Sequence, residues 1–155
     1  DQKAIGKSKV QTAKQRLQMI NPKLEIETFQ QDISDLKDLH LPHLDGIADC
    51  LDNFASRFEL EKLVSENQFL VHGGVQNDFG QITTIIPNKT QSLKEIYPGI
   101  HIPVSVPIVP QIVITIGSMM AQEIINNLFD KSQLINKMLI VEFSDFSMFK
   151  VKIEK

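Results

Sequence analysis

The residues best suited to chemistry are the carboxylates Asp49 and Asp52, which lie in the stretch Asp45 to Arg57, DGIADCLDNFASR. Gly46, Ile47 and Ala48 read as a short buried strand, the Asp-Cys-Leu-Asp-Asn run as a turn, and a helix opens at about Asn53. In an open α/β sheet, ligands collect beyond the carboxyl ends of the strands. The free amides of a helix N-terminus favour anionic groups at the same place. A carboxylate beside such a phosphate-binding point suits Mg²⁺, which takes one or two carboxylates together with phosphate oxygens and water. Asp52 and Asn53 read equally well as a plain helix cap, a position that both residue types favour.

The elements that must carry this turn fit one ordinary domain. The 155 residues are 42% hydrophobic and 23% charged, enough for a sizeable core. A net charge of −3 and the lack of a basic stripe argue against nucleic acid as a partner. The single cysteine, Cys50, excludes an internal disulfide framework and a cysteine-rich zinc site, and it fits a reducing compartment. The longest apolar stretch, Ile102 to Ala121, is broken by prolines and a glutamine, so no membrane partner is expected. With no signal-peptide pattern at its start, the chain reads as a soluble cytoplasmic protein.

Along the chain, Gly6 to Met19 has a helical apolar face of Val10, Ala13 and Leu17, continued by Ile20 and stopped by Asn21-Pro22. Leu24, Ile26 and Thr28 to Phe29 predict a strand, and residues 32–43 are polar and irregular, with room for one helical turn. Phe54 to Glu66 predicts a helix that buries Phe54, Phe58, Leu60, Leu63 and Val64. Phe69 to Val71 reads as a strand closed by Gly73-Gly74, and Gln81 to Ile86 as another. Pro87 to Pro107 holds four of the seven prolines and reads as a long extended crossing segment. Ile108 to Phe129 predicts the most buried helix, since apolar residues nearly encircle it. Met138 to Phe143 and Met148 to Ile153 predict a hairpin around Ser144-Asp145. The sum is an α/β fold with some antiparallel strands.

Several motifs then stand in a familiar order: IGKSK with Lys9, the INP of Ile20 to Pro22, DCLDNFASR, the FGQI of Phe79 to Ile82, LKEIYP from Leu93 to Pro98, and IGSMMAQEIINNL on the late helix. Together they resemble the ThiF/MoeB/HesA family, adenylating domains related to ubiquitin-activating enzymes. The resemblance covers nearly the whole chain. It implies a Rossmann-like ATP-binding fold, with a mixed sheet and helices on both faces. It also implies ATP-dependent activation of a substrate carboxylate as an acyl adenylate, with pyrophosphate released and Mg²⁺ required. Carried over residue by residue, Lys9 matches the lysine that contacts ATP phosphates, and Asp52 the acid that holds magnesium. Asn53 and Arg57 complete the ATP-binding block, Arg57 serving either as a ligand or as a structural partner of the loop. Homodimerisation is the family's habit, and the apolar late helix offers a surface for it.

Two departures shape the expectation. The seven glycines never form GxGxxG, so the chain resembles the C-terminal portion of such a domain with the N-terminal βαβ portion missing. The CxxC pairs that bind zinc in many relatives are absent, so no zinc is expected. Cys50 is read as a buried strand-end thiol rather than a nucleophile. Adenylation without a catalytic cysteine is therefore expected, on a small-molecule or peptide-tail carboxylate. The HcgE branch, which adenylates a guanylylpyridinol in iron-hydrogenase cofactor assembly, fits this pattern. The alternatives are activation of a ubiquitin-like sulfur-carrier C-terminus, or a catalytically degenerate scaffold and dimerisation partner. Other constellations are weaker: His40, His43, His72 and His101 lack ligand spacing, and Ser105 and Ser118 lack a nucleophile-elbow context. A segment from Pro87 to Pro107 next to the phosphate site would serve as a lid over a labile adenylate.

Overall fold

A computed structural model describes residues 2–38, 43–100 and 107–154. The chain divides into two units, Asp1–Asp38 and Leu39–Lys155. The first holds a 3₁₀ turn at Gln2–Ala4, helix α1 (Lys9–Ile20) and a second 3₁₀ segment at Ile33–Asp38. The helix begins later than its periodicity suggests, because Gly6 adopts φ +79°, a left-handed conformation no helix accommodates. Asn21 closes α1 in an extended conformation, as the following proline demands. None of its residues is fully buried, and Ile20 is 81% exposed. The strand predicted at Leu24 to Phe29 does not form. No ladder includes these residues, and an extended segment without a pairing neighbour is not a strand. What ties it locally is a 2.7 Å hydrogen bond from Gln11 to Thr28.

The second unit is built on a five-stranded sheet in the order β1-β2-β3-β4-β5. These strands are β1 (Gly46–Asp49), β2 (Phe69–Gln76), β3 (Phe79–Ile85), β4 (Lys137–Glu142) and β5 (Ser147–Lys152). Strands β1 and β2 are parallel, with Gly46 opposite Phe69 and Asp49 opposite His72. A parallel pair needs a crossover, which helix α2 (Phe54–Glu61) supplies. That helix is shorter than predicted, and its buried residues are Arg57 and Leu60 rather than the full apolar set. The other strand pairs of the sheet, β2 with β3, β3 with β4 and β4 with β5, are antiparallel.

Helix α4 (Pro110–Leu128) covers one face, starting with a proline at its first turn. Gly73 and Gly80 face it: a Cβ at Gly73 would lie 2.2 Å from Met120 Sδ, and one at Gly80 would lie 2.4 Å from Ile116 Cγ1. This explains why β2 runs straight through Gly73-Gly74 instead of ending there, as the sequence suggested. The glycines are close-approach positions within the strand. Phe69, Val71, Ile82, Ile112, Ile116, Met120, Leu134 and Val141 form the core between sheet and helix. Burying each such side chain contributes roughly 1.5–3 kcal/mol.

Encirclement by apolar residues did not make α4 a fully buried helix. Only Ile112, Ile116, Met120 and Glu123 are buried, one stripe at helical spacing, while Ile114 is 69% exposed. On the opposite face of the sheet lie α2 and the short helix α3 (Leu93–Ile96). The segment read as wholly extended thus contains a helix. Ser92 and Glu95 form a reciprocal capping box at its start. The remainder of that segment, residues 101–106 with His101 and Ser105, lies outside the described residues, as do His40 and the 39–42 stretch. The mixed sheet with helices on both faces is the architecture expected from the sequence.

Glu123 is the one acid inside the α4 interface, 3% exposed. Its Oε1 accepts from Thr84 Oγ1 at 3.1 Å and from the backbone N–H of Gln133 and Leu134, each at 3.0 Å. Asn126 Nδ2 donates to Oε2 at 2.9 Å. The carboxylate therefore pins the 132–134 loop to α4 and β3, satisfying amides that burial would otherwise leave unpaired. Glu123→Ala is expected to cost about 2–4 kcal/mol, read as a lower urea midpoint at unchanged m-value.

Candidate functional site

Strand β1 ends by delivering Asp49 into the interior, at 0% exposure, with its Oδ1 accepting from the Leu51 N–H at 3.0 Å. The chain then leaves the sheet through Cys50, Leu51 and Asp52, and α2 begins. Asn53 caps that helix in an extended conformation, its side chain accepting from Ser56 N–H at 2.8 Å. The capping role weighed for this pair thus falls to Asn53. Asp52 is exposed, and one of its oxygens accepts from Asn53 Nδ2 at 3.1 Å.

The two carboxylates singled out together are therefore separated by the fold. Asp49 is committed to buried partners, whereas Asp52 faces solvent at the carboxyl end of a parallel strand, where ligands of α/β sheets collect. One exposed carboxylate with a free oxygen suits an ion that fills its remaining positions with water and phosphate. Among the described residues no three His, Cys, Asp or Glu side chains gather as an all-protein metal site.

Arg57 comes back from the first turns of α2 and is 8% exposed. Its Nη1 donates to the Gly73 carbonyl at 2.7 Å and stands 3.5 Å from Asp49 Oδ2, and its Nη2 donates to the Leu51 carbonyl. The guanidinium also lies 5.4 Å from the Phe54 ring centroid.

His72, fully buried on β2, approaches Asp49 Oδ2 with Nδ1 at 2.6 Å. Its Nε2 lies 3.2 Å from the Tyr97 hydroxyl, which accepts from Gln81 Nε2 at 2.7 Å. Desolvation pushes the His72 pKa down, against the pull of Asp49, so the ring is neutral. The network assigns the tautomer: Nδ1–H donates to Asp49 and Nε2 accepts from Tyr97. Arg57 Nη1, 3.0 Å from Nδ1, then meets a donor rather than an acceptor, and its hydrogen goes to Gly73. Burial likewise holds the Tyr97 phenol protonated, its pKa pushed well above the ordinary value.

Cys50 corrects an expectation. It is exposed rather than buried, because β1 has ended and the chain is already turning outward. Its thiol pKa is nonetheless raised, first by partial desolvation and then by the neighbouring Asp49 carboxylate. Less thiolate at neutral pH makes it a weaker nucleophile.

Lys9 stands in the Asp1–Asp38 unit, exposed at the first position of α1. It lines an open groove of about 420 Å³ together with Lys7, Arg16 and Thr12. Ser8, just before it, makes no side-chain cap. A second cavity, about 470 Å³, opens beside Asp45, Phe69 and Ile86, at the amino end of β1 and β2. Of the residues weighed in the sequence it holds His43, and it holds none of Lys9, Asp52, Asn53 and Arg57.

Sequence reading gave His72, Tyr97 and Gln81 no place in the site: His72 was weighed only as a metal ligand, and the other two only as parts of the FGQI and LKEIYP motifs. A signal existed for His72, a polar residue directly after the apolar run Phe69-Leu70-Val71 and before Gly73, where a buried polar group demands a partner. Nothing in the sequence marked that partner as Asp49, which lies 23 residues earlier.

The sequence model of the ThiF family matches residues 1–155. The heterocyst protein HesA of Trichormus variabilis is 35% identical over 96 residues, covering 61% of this chain and 36% of that protein. HesA of Nostoc sp. matches equally, 35% over 96 residues, 61% of this chain and 38% of its own. Among solved structures, Escherichia coli MccB with ATP superposes at a TM-score of 0.74 and 17% identity, covering 100% of this chain and 50% of that one. The microcin C7 biosynthetic enzyme MccB in complex with N-formylated MccA superposes at 0.79 and 16% identity, covering 100% and 52%. The chain thus spans about half the length of these solved relatives, and a little over a third of the curated ones. No helix among the described residues is long and apolar enough to cross a membrane.

Proposed function

This chain belongs to the ThiF family, and we propose that it takes part in ATP-dependent adenylation of a carboxylate. In that reaction a substrate carboxylate oxygen attacks the α-phosphorus of ATP, the bond to the bridging oxygen breaks, and pyrophosphate leaves with its electron pair. The observation that carries this reading is the placement of Asp52. It is an exposed carboxylate at the carboxyl end of β1, beside the N-terminus of α2, over a buried Asp49 already compensated by Arg57.

Asp52 would hold Mg²⁺ through its outward oxygen and so orient the triphosphate. When bound, the ion would neutralise charge on the phosphate oxygens. Lys9 is the candidate contact to the phosphates, and Asn53 keeps the helix start in register. Such chemistry asks the protein for positioning and charge rather than covalent catalysis, which suits a site whose one thiol is a poor nucleophile. ATP in one MccB complex and N-formylated MccA in another support a nucleotide and a second ligand here too.

Among substrates, the guanylylpyridinol carboxylate of the HcgE branch remains the first proposal, with a sulfur-carrier C-terminal tail as the second, and a homodimer as the assembly. A non-catalytic scaffold is favoured by one observation, the exposed apolar side chains Val113, Ile114, Ile125 and Leu128 along α4. ATP–pyrophosphate exchange on the natural protein, across a panel of small carboxylates and peptides, separates these readings. Carboxylate-dependent exchange is expected. Absence of both exchange and Mg²⁺-dependent ATP binding would leave the scaffold.

A further inference from the structure

The polar cluster under the Asp52 turn is more specific than satisfying a few buried groups requires. Leu51, the residue before Asp52, has both of its backbone polar groups held by side chains. Asp49 Oδ1 takes its N–H at 3.0 Å, and Arg57 Nη2 donates to its carbonyl. These two side chains are themselves paired at 3.5 Å. Each is anchored again on β2, Arg57 through the Gly73 carbonyl at 2.7 Å and Asp49 through His72 Nδ1 at 2.6 Å. His72 continues to Tyr97 at 3.2 Å, and Tyr97 to Gln81 of β3 at 2.7 Å. Donors run in one direction along this chain, from Gln81 to Tyr97 to His72 to Asp49, so every group is satisfied in one arrangement only.

We propose that Asp49, Arg57 and His72 are positioning residues for Asp52: they lock the Leu51 peptide and thereby fix where the Asp52 carboxylate stands when it meets a magnesium-bound nucleotide. This inference rests on the adenylation reading of the site. Its physical basis is preorganisation. A three-residue turn between β1 and the cap of α2 has no ladder to hold it, and a turn ordered in advance does not have to be ordered by the ligand. Groups that orient a ligating carboxylate without touching the metal typically change metal affinity ten- to a hundredfold when removed. Arg57 acts here through backbone carbonyls, with no need to touch ATP.

The test is the Mg²⁺ dependence of ATP binding by the natural protein, followed by calorimetry for wild type, Asp52→Ala, His72→Leu and His72→Asn. Each is measured well below its own unfolding midpoint. An asparagine amide takes the place of the Nδ1–H donor to Asp49, whereas leucine cannot donate. His72→Leu is expected to raise the Mg²⁺ half-saturation by about tenfold or more, with His72→Asn within about threefold of wild type. A merely structural role would lower the unfolding midpoint of both variants without splitting their Mg²⁺ requirements.

If His72→Leu does not fold, Tyr97→Phe decides, since it removes one hydroxyl and keeps the ring against Phe54, 4.9 Å between centroids. A rise of about threefold is then expected, the effect of one lost hydrogen bond. An unchanged Mg²⁺ requirement in His72→Leu, or in Tyr97→Phe where that variant decides, overturns the positioning role. It leaves the site reading intact provided Asp52→Ala still loses Mg²⁺-dependent binding. If Asp52→Ala binds as wild type does, the site reading falls and the inference with it.

Discussion

Arg57→Met is expected to destabilise the Leu39–Lys155 unit by about 3–5 kcal/mol, because it leaves a buried charge without its partner. Asp49 is wholly buried, and after the substitution its carboxylate would keep only a neutral histidine and one amide. The Gly73 and Leu51 carbonyls would lose their donor at the same time. Much of the cost is desolvation, so the double substitution Asp49→Leu with Arg57→Met should recover a large part of it. Lys62 and Glu59 are the contrast. They pair at 2.7 Å with side chains 64% and 45% exposed, and removing either should cost under about 1 kcal/mol. Urea unfolding of these variants checks the ordering. An Arg57→Met protein as stable as wild type would mean that the buried pair is not formed in solution.

How much of this could be read from the chain depended on the range of the interaction. The β4–β5 hairpin, the alternating β3 and the strand before Asp49 showed in local pattern, because their periodicity and turn residues lie within a few positions. The capping box of α3 was equally local, Ser92 and Glu95 in S-x-x-E spacing. It went unread because the neighbouring prolines dominated the segment. Gly73-Gly74 misled for a non-local reason: glycine commonly marks a turn, but here it makes room for Met120, 47 positions later. The burial of α4 was overread, since composition gives the number of apolar residues and only packing says which face they use.

At the site, the sequence pointed to the strand, the turn and the helix start around Asp52 and Asn53. Residue type alone set Asp49 beside Asp52, only the family resemblance chose Asp52, and Cys50 was placed inside. Only the pairing of β1 with β2 brings His72 to Asp49 and closes the buried network beneath the turn. The family resemblance carried Lys9, Asp52, Asn53 and Arg57 as a set. The fold accounts for the last three as neighbours on one strand–turn–helix unit.

Asp52→Ala is the other large effect. The side chain is exposed, and its hydrogen bond is with the adjacent Asn53, so little stability is at stake, within about 0.5 kcal/mol. Its proposed role lies wholly with the metal and the triphosphate, where charge stabilisation is worth several kcal/mol. Stability and activity are thus expected to separate cleanly at this residue, as they cannot at Arg57. The most direct measurement is carboxylate-dependent ATP–pyrophosphate exchange by the natural protein and its Asp52→Ala variant at equal folded concentration. The account predicts a loss of at least about a hundredfold, with the unfolding midpoint unchanged. Exchange that persists undiminished in Asp52→Ala would contradict it.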